Sequence, residues 1–272
     1  MQVRPIPKTG ETLPLIGCGT YLGFDLPEGS DRLGAVSEVV DMLLNAGRCM
    51  IDSSPMYGRA EATAGDVLAK LGRRDDAFVA TKVWTQGRAE GVAQMKRSLA
   101  LLRTDHVDLM QVHNLVDAEV HLKTLADWKA EGLTRYVGVS HSKSAAFDQV
   151  EAVMRQGGID FVQLNYALAD RAAEARLLPL AGDLGIAVIV NIPFGGGTLL
   201  RTLSQEPLPP FADEIGCTSW AQLLLKFVLG HPAVTCAIPG TGSPGHMANN
   251  LAAAAGDLAQ ARSRILAWWE SR

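Results

Sequence analysis

The sequence predicts an eightfold β/α barrel, a (β/α)8 or TIM barrel, as a single domain over residues 1–272. Three observations carry that prediction. Short apolar runs rich in β-branched residues recur eight times, stretches with helical spacing separate them, and 272 residues is close to the roughly 250 that eight such units occupy. Near-continuous apolar runs such as AVIVNI suit parallel strands covered on both faces.

In chain order, strands are predicted at 15–19, 49–52, 78–83, 107–113, 136–140, 161–165, 187–192 and 234–238. Helical spacing fills 32–46, 61–71, 89–102, 120–131, 145–155, 172–184 and 220–229. Gly47, Gly132 and Gly185 follow helical stretches, where a left-handed cap favours glycine. The proline-rich stretch 201–216 reads as a surface loop after the seventh strand, and no linker divides the chain. Leu258, Arg262, Ile265 and Trp269 place the tail on a helix packed against the barrel. A doubly wound open sheet is the rival, but GCGTYLGF only partly imitates a GxGxxG turn and no helix follows it directly.

With 25 Lys+Arg against 29 Asp+Glu the formal charge is −4, and no basic run offers a footprint for nucleic acid or an anionic membrane. An apolar share of 47% with 20% charged residues excludes a disordered chain. Cys18, Cys49, Cys217 and Cys236 are scattered and read as reduced thiols, and the six histidines form no HxH or HExxH pattern, so no metal is expected. MQVRPIPKTG has no apolar core of a signal peptide, and no membrane-length apolar run follows, so a cytoplasmic protein is expected.

In such a barrel the chemistry belongs at the carboxyl ends of the strands. Asp52 ends the second predicted strand, Lys82 lies at the end of the third, His113 ends the fourth, and Tyr57 follows Asp52 in a loop. Singly, each has a structural alternative: a helix cap, an ordinary ion pair, a satisfied strand-end histidine, a turn aromatic. Together on one barrel face they form a costly concentration of ionisable groups, the mark of a reactive centre.

These residues resemble the aldo-keto reductases over nearly the whole chain. LPLIGCGTY is similar to the family's opening strand and MIDSSPMYGRAEATAGDVL to its signature. ATKVW, VDLMQVHN, EGLTRYVGVSH, FVQLNYALADR and AIPGTGSPGHMANNLAAA follow in the family's order. The resemblance implies a catalytic tetrad of Asp52, Tyr57, Lys82 and His113 and the reduction of an aldehyde or ketone by NADPH, with NADH as the alternative. Tyr57 would protonate the carbonyl oxygen as hydride arrives from the nicotinamide. Lys82 would make it a better acid: a charge about 4 Å away at an effective dielectric of about 20 is worth roughly 4 kcal/mol. Asp52 would hold Lys82, and His113 would donate to the oxygen.

The resemblance also implies a cofactor site. Gly19, Thr20 and Asp52 would contribute to it, and Ser140, His141 and Gln163 would hold the carboxamide. Asn191, Ile192, Pro193, Phe194, Gly195 and Gly197 would line one side. Ile238, Gly240, Thr241, Ser243, His246, Asn249 and Asn250 would receive the phosphates and adenosine. The chain departs from the family at His141, where asparagine is usual, and at Asn191, where an aromatic stacks. It also has Gly240 and Gly242 where a basic side chain is usual, which leaves His246 as the cation of that segment. Tyr21, Phe24, Trp84 and Leu115 would line an open substrate pocket. A small carbonyl compound is the expected partner, with neither nucleic acid nor membrane, and the chain is expected to be a monomer or weak oligomer. The competing function is a cofactor-binding regulatory or redox-sensing barrel with little turnover.

Overall fold

The structure, a computed structural model, describes residues 1–272. It begins with two three-residue strands, β1 (Val3–Pro5) and β2 (Thr12–Pro14), paired antiparallel with Val3 opposite Pro14. The barrel follows: β3 (Cys18–Gly19), α1 (Leu33–Asn45), β4 (Met50–Asp52), α2 (Ala60–Leu71), β5 (Phe78–Val83), α3 (Arg88–Leu101), β6 (Val107–His113) and α4 (Ala118–Ala130). It continues with β7 (Thr134–His141), α5 (Phe147–Gln156), β8 (Phe161–Asn165), α6 (Leu177–Leu184), β9 (Ala187–Asn191) and α7 (Thr198–Leu203). α8 (Trp220–Leu229), β10 (Val234–Ala237), α9 (Pro244–Ala252) and α10 (Leu258–Glu270) complete the chain.

β3 to β10 pair in sequence order, all parallel, and the bridges Ile16–Ala237 and Gly19–Gly240 join the two edges into the barrel. Every residue of β5, β6 and β8 is buried, because helices cover one face and the barrel interior the other. Two apolar cores result. The larger lies between strands and helices, and includes Val36, Val40 and Leu43 from α1. The smaller fills the barrel's lower interior with Met50, Phe78, Leu109, Tyr136, Phe161 and Ile189, capped by Ile6 and Leu13 from the hairpin.

Three of the expected elements take a different form. The first strand shrinks to two residues, with Ile16 held by one bridge. The helix expected at 172–184 is broken into a 3-10 turn, Ala172–Ala175, and α6, with Arg176 between them. Pro179 explains the break: it lacks an N–H and is tolerated in a helix's first turn, so the helix restarts just before it. The stretch 201–216 is not all loop, since α7 runs into it.

The hairpin was not legible as strands. It closes the amino-terminal mouth, and its loop residue Glu11 accepts hydrogen bonds from Arg48 (2.8 Å), Arg135 and Tyr136 (2.6 Å). Asp108 on β6 is fully buried and accepts from Arg48 (2.8 Å), Arg135 (2.7 Å) and the Val79 amide (2.7 Å).

Candidate functional site

Strand register brings Asp52, Lys82, Gln111, His113, Ser140 and Gln163 together at the opposite mouth. β5 and β6 pair Lys82 with Gln111, β6 and β7 pair His113 with Ser140, and β7 and β8 pair Ser140 with Gln163. Asp52 ends β4. Residues two apart on one strand share a face, so Gln111 lies on the same face of β6 as His113. The register therefore converts five neighbouring strands into one polar cluster.

At its centre Lys82, 0% exposed, donates to Asp52 Oδ2 (2.6 Å) and the Ser53 carbonyl (2.6 Å). The other Asp52 oxygen accepts from Gln111 Nε2 (3.1 Å) and Gln163 Nε2 (3.0 Å). Burial pushes the Lys82 pKa down, but the Asp52 and Tyr57 charges and the Asp52 hydrogen bond push harder, and the net direction is up. Lys82 is thus a buried cation at neutral pH. Its Nζ lies 5.4 Å from the centroid of the Tyr57 ring.

Tyr57 is held by a tight loop after β4. Its amide bonds to the Ser54 carbonyl (3.1 Å), and Gly58 follows with φ +58°. A Cβ at Gly58 would sit 2.3 Å from the Asp25 carboxylate, so only glycine lets that acid approach and accept from the Arg59 amide at 2.9 Å. The Tyr57 ring packs against Tyr21 (centroids 5.0 Å) and edge-on to His113 (6.3 Å, 89°). Lys82 pulls the phenol's pKa down, while burial and Asp52 push it up, and the net direction is above the ordinary tyrosine value. The expected lowering by Lys82 is present, but in sum it is outweighed.

Burial, with the Lys82 charge behind it, pushes the His113 pKa down to about 3, so the ring is neutral. Its Nδ1 lies 2.7 Å from the Ser140 hydroxyl. With Ser140 donating, Nε2 carries the proton and is a hydrogen-bond donor.

These groups open into a cavity of about 1120 Å³, large for a small-molecule pocket. Of the residues expected at a cofactor, Gly19, Asp52, Gln163, Asn191, Ile192, Pro193, Phe194, Gly197, Ile238, Gly240, Thr241, Ser243 and His246 line it, as does Tyr21. Gly195 lines an adjoining space of about 570 Å³. Thr20 is buried beneath, donating to Ser53 Oγ (2.9 Å), and Ser140 is spent on His113. His141 lies outside the cavity lining, its Nδ1 accepting from the Lys143 amide (3.1 Å), which leaves Nε2 as donor.

Other expected residues are elsewhere. Asn250 is buried, and Asn249 bonds Ser219 (2.9 Å) and Gln222 (2.8 Å), because six to seven residues past Ser243 the helix α9 turns toward α8. Phe24, expected at the substrate, is 0% exposed in the larger core: its amide bonds back to the Thr20 carbonyl (3.0 Å), and that turn carries the ring inward. Trp84 and Leu115 also lie outside the cavity lining, the Trp84 backbone being clasped by the Gln94 amide (2.6 and 3.2 Å).

Sequence reasoning missed Gln111, whose signal was its position two residues before His113. It also missed Arg32, Met56 and Leu22, which line the cavity. Leu22 (φ +60°) and Ile192 (φ +50°) hold left-handed conformations that bulky side chains disfavour, and Leu22 is 67% exposed. Strain of this kind concentrates at ligand sites.

Comparison with known proteins gives a consistent result. The profile of the Aldo/keto reductase family matches residues 16–265. The methylglyoxal reductase YeaE of Escherichia coli is 29% identical, over 98% of this chain and 94% of that protein. The NADH-specific methylglyoxal reductase of the same organism is 28% identical, over 77% of this chain and 72% of its own. An aldo-keto reductase from Klebsiella pneumoniae, solved in complex with NADPH, superposes with a TM-score of 0.82 at 26% identity, covering 98% of this chain and 96% of that one.

Proposed function

The chain belongs to the aldo/keto reductase family, and on that premise we propose that it reduces the carbonyl group of an aldehyde or ketone, using NADPH, with Tyr57 as proton donor. The observation that carries the reading is the Lys82–Asp52 pair, buried at 2.6 Å beneath a tyrosine that opens into a large cavity. A structural ion pair needs no such opening.

Several features suit a dinucleotide. Asn191 has a buried carbonyl oxygen without a partner, on the cavity lining. The nine-residue helix α9 begins at the cavity with Ser243 as its cap, and its Gly245 amide, left without a partner, suits a phosphate oxygen. Gly19, Asn191, Thr241 and Ser243 would hold the group, which when bound supplies the hydride.

The chain's own residues account for the rest of the reduction. A carbonyl oxygen between Tyr57 and His113 gains negative charge as its carbon is reduced. Tyr57, protonated throughout the neutral range, gives it the proton. Lys82 stabilises the phenolate left behind, and Asp52, fixed by Gln111 and Gln163, keeps Lys82 in place. Neutral His113 donates from Nε2 and orients the oxygen without competing for the proton. Tyr21, Leu22, Met56 and Ile192 give the mouth an apolar rim against which a substrate's carbon skeleton would pack.

The test follows NADPH oxidation at the nicotinamide absorbance with methylglyoxal and a panel of other aldehydes and ketones. Turnover of at least one is the expected result. Tight NADPH binding with no turnover of any of them would overturn the reading in favour of a regulatory barrel.

A further inference from the structure

We propose that Arg32 is the residue that selects a cofactor carrying a 2′-phosphate, by placing its guanidinium over the loop that leads into α9. The inference rests on the nicotinamide-cofactor reading above. One region of the cavity is lined by Tyr57 and His113, another by Gly242, Ser243, Pro244 and His246. That second region has the Ser243 hydroxyl and the Gly245 amide, the one N–H at the start of α9 without a partner, and so favours an anion. Which anion it favours depends on the cation set against it.

Arg32 is the only lysine or arginine on the cavity lining. Its side chain makes no ion pair and no hydrogen bond within the protein; only its backbone is engaged, the amide with Ser30 Oγ at 3.2 Å and the carbonyl with the Val36 amide at 3.1 Å. Arg48, Arg135 and Arg262, by contrast, are bound to carboxylates. In a chain with net charge −4, an arginine left without an acid beside an anion-favouring helix start is matched to something from outside.

Steric packing explains why this cation comes from the start of α1 and not from the segment 238–246 itself. A Cβ at Gly242 would lie 2.8 Å from the Gly23 carbonyl oxygen and 3.4 Å from Arg32 Nη2. One at Gly240 would lie 3.2 Å from the Gly19 carbonyl oxygen. The two loops touch backbone to backbone, so no side chain fits at Gly242, and the Arg32 guanidinium covers that position instead. Its planar fork of donors suits a phosphate monoester, with the Ser243 hydroxyl and His246 on the same lining. A cofactor with a free 2′-hydroxyl would leave Arg32 hydrated and gain little from it.

The test titrates the wild-type protein, Arg32→Ala and Arg32→Lys with NADPH and NADH, following tryptophan fluorescence, and repeats it with 2′,5′-ADP and 5′-AMP. Arg32→Ala should raise the NADPH Kd roughly ten- to hundredfold, the weight of a charged hydrogen bond, and leave the NADH Kd within about twofold. The 2′,5′-ADP Kd should rise in parallel while that for 5′-AMP stays put, and Arg32→Lys should recover part of the loss. An equal rise for NADPH and NADH, or no rise for either, would overturn the assignment. Failure of the wild-type protein to bind either dinucleotide would instead overturn the cofactor reading on which it rests.

Discussion

At the amino-terminal mouth of the barrel Asp108 is fully buried and accepts from Arg48, Arg135 and the Val79 amide, and the hairpin closes over it with Glu11 on the same arginines. At the carboxyl-terminal mouth Asp52 is almost as deeply buried and accepts from Lys82, Gln111 and Gln163, yet nothing closes over it. The cavity that Asp52 helps to line also carries a phenol, an amide oxygen and a guanidinium that the protein leaves without partners: Tyr57, Asn191 and Arg32. Both mouths satisfy a buried carboxylate to the same standard. They differ in what those satisfied groups support: at one end a plug, at the other a set of unspent donors and acceptors along a cavity. Burial of charge thus does not tell the two ends of this barrel apart. What distinguishes the carboxyl-terminal end is the polar groups left over once the buried acid is satisfied.

Substitutions at the two mouths should separate stability from catalysis. Lys82→Met should have the largest effect, because it strands Asp52 as well as removing the charge beneath Tyr57. Stability should fall by about 3–5 kcal/mol and turnover by roughly 100-fold or more, read by urea unfolding and cofactor oxidation. Asp108→Asn should cost roughly 3 kcal/mol of stability while the folded protein keeps its turnover. Loss of kcat in folded Asp108→Asn would break the contrast between the mouths. Glu11→Gln, at a partly exposed acid, should cost no more than about 1 kcal/mol.

The smallest effect concerns pH. Because the His113 pKa is pushed down to about 3, kcat/KM should show no acid limb near pH 6.5 and stay within about twofold from pH 8 to pH 5. A group depressed in this way lowers stability as pH falls from its unfolded value near 6.5 towards 3, since the unfolded chain takes up the proton and the folded chain does not. An acid limb near pH 6.5 that disappears in a His113 variant would contradict the neutral assignment. The alkaline limb should lie above the ordinary tyrosine value of about 10, following the raised Tyr57.

The barrel and the polar cluster at its carboxyl-terminal mouth were legible because both are written in local patterns. Eight apolar runs mark the strands, and Asp52, Lys82 and His113 stand at or beside the ends of three consecutive ones. What the sequence hid depends on contacts between distant segments. The hairpin strands are three residues long with prolines in both, too short for an alternating pattern. Pro179 breaks a helix whose apolar spacing looks continuous across it. Phe24 sits where a pocket aromatic would, and only the turn from Thr20 sends it inward. Asn249 reads as a phosphate ligand until α8 is packed against α9. Arg32 gave no signal at all, because the approach of Gly23 to Gly242 that brings it to the cavity spans more than two hundred residues.

The role of Tyr57 as proton donor is put to the test in Tyr57→Phe, with turnover and NADPH affinity measured on the same preparation. The variant keeps the ring against Tyr21 and His113 and loses only the hydroxyl. Turnover should fall about 100- to 10,000-fold while the NADPH Kd stays within about twofold. Turnover equal to that of the wild-type protein would remove Tyr57 as the acid and with it the reading of the open mouth as the catalytic one.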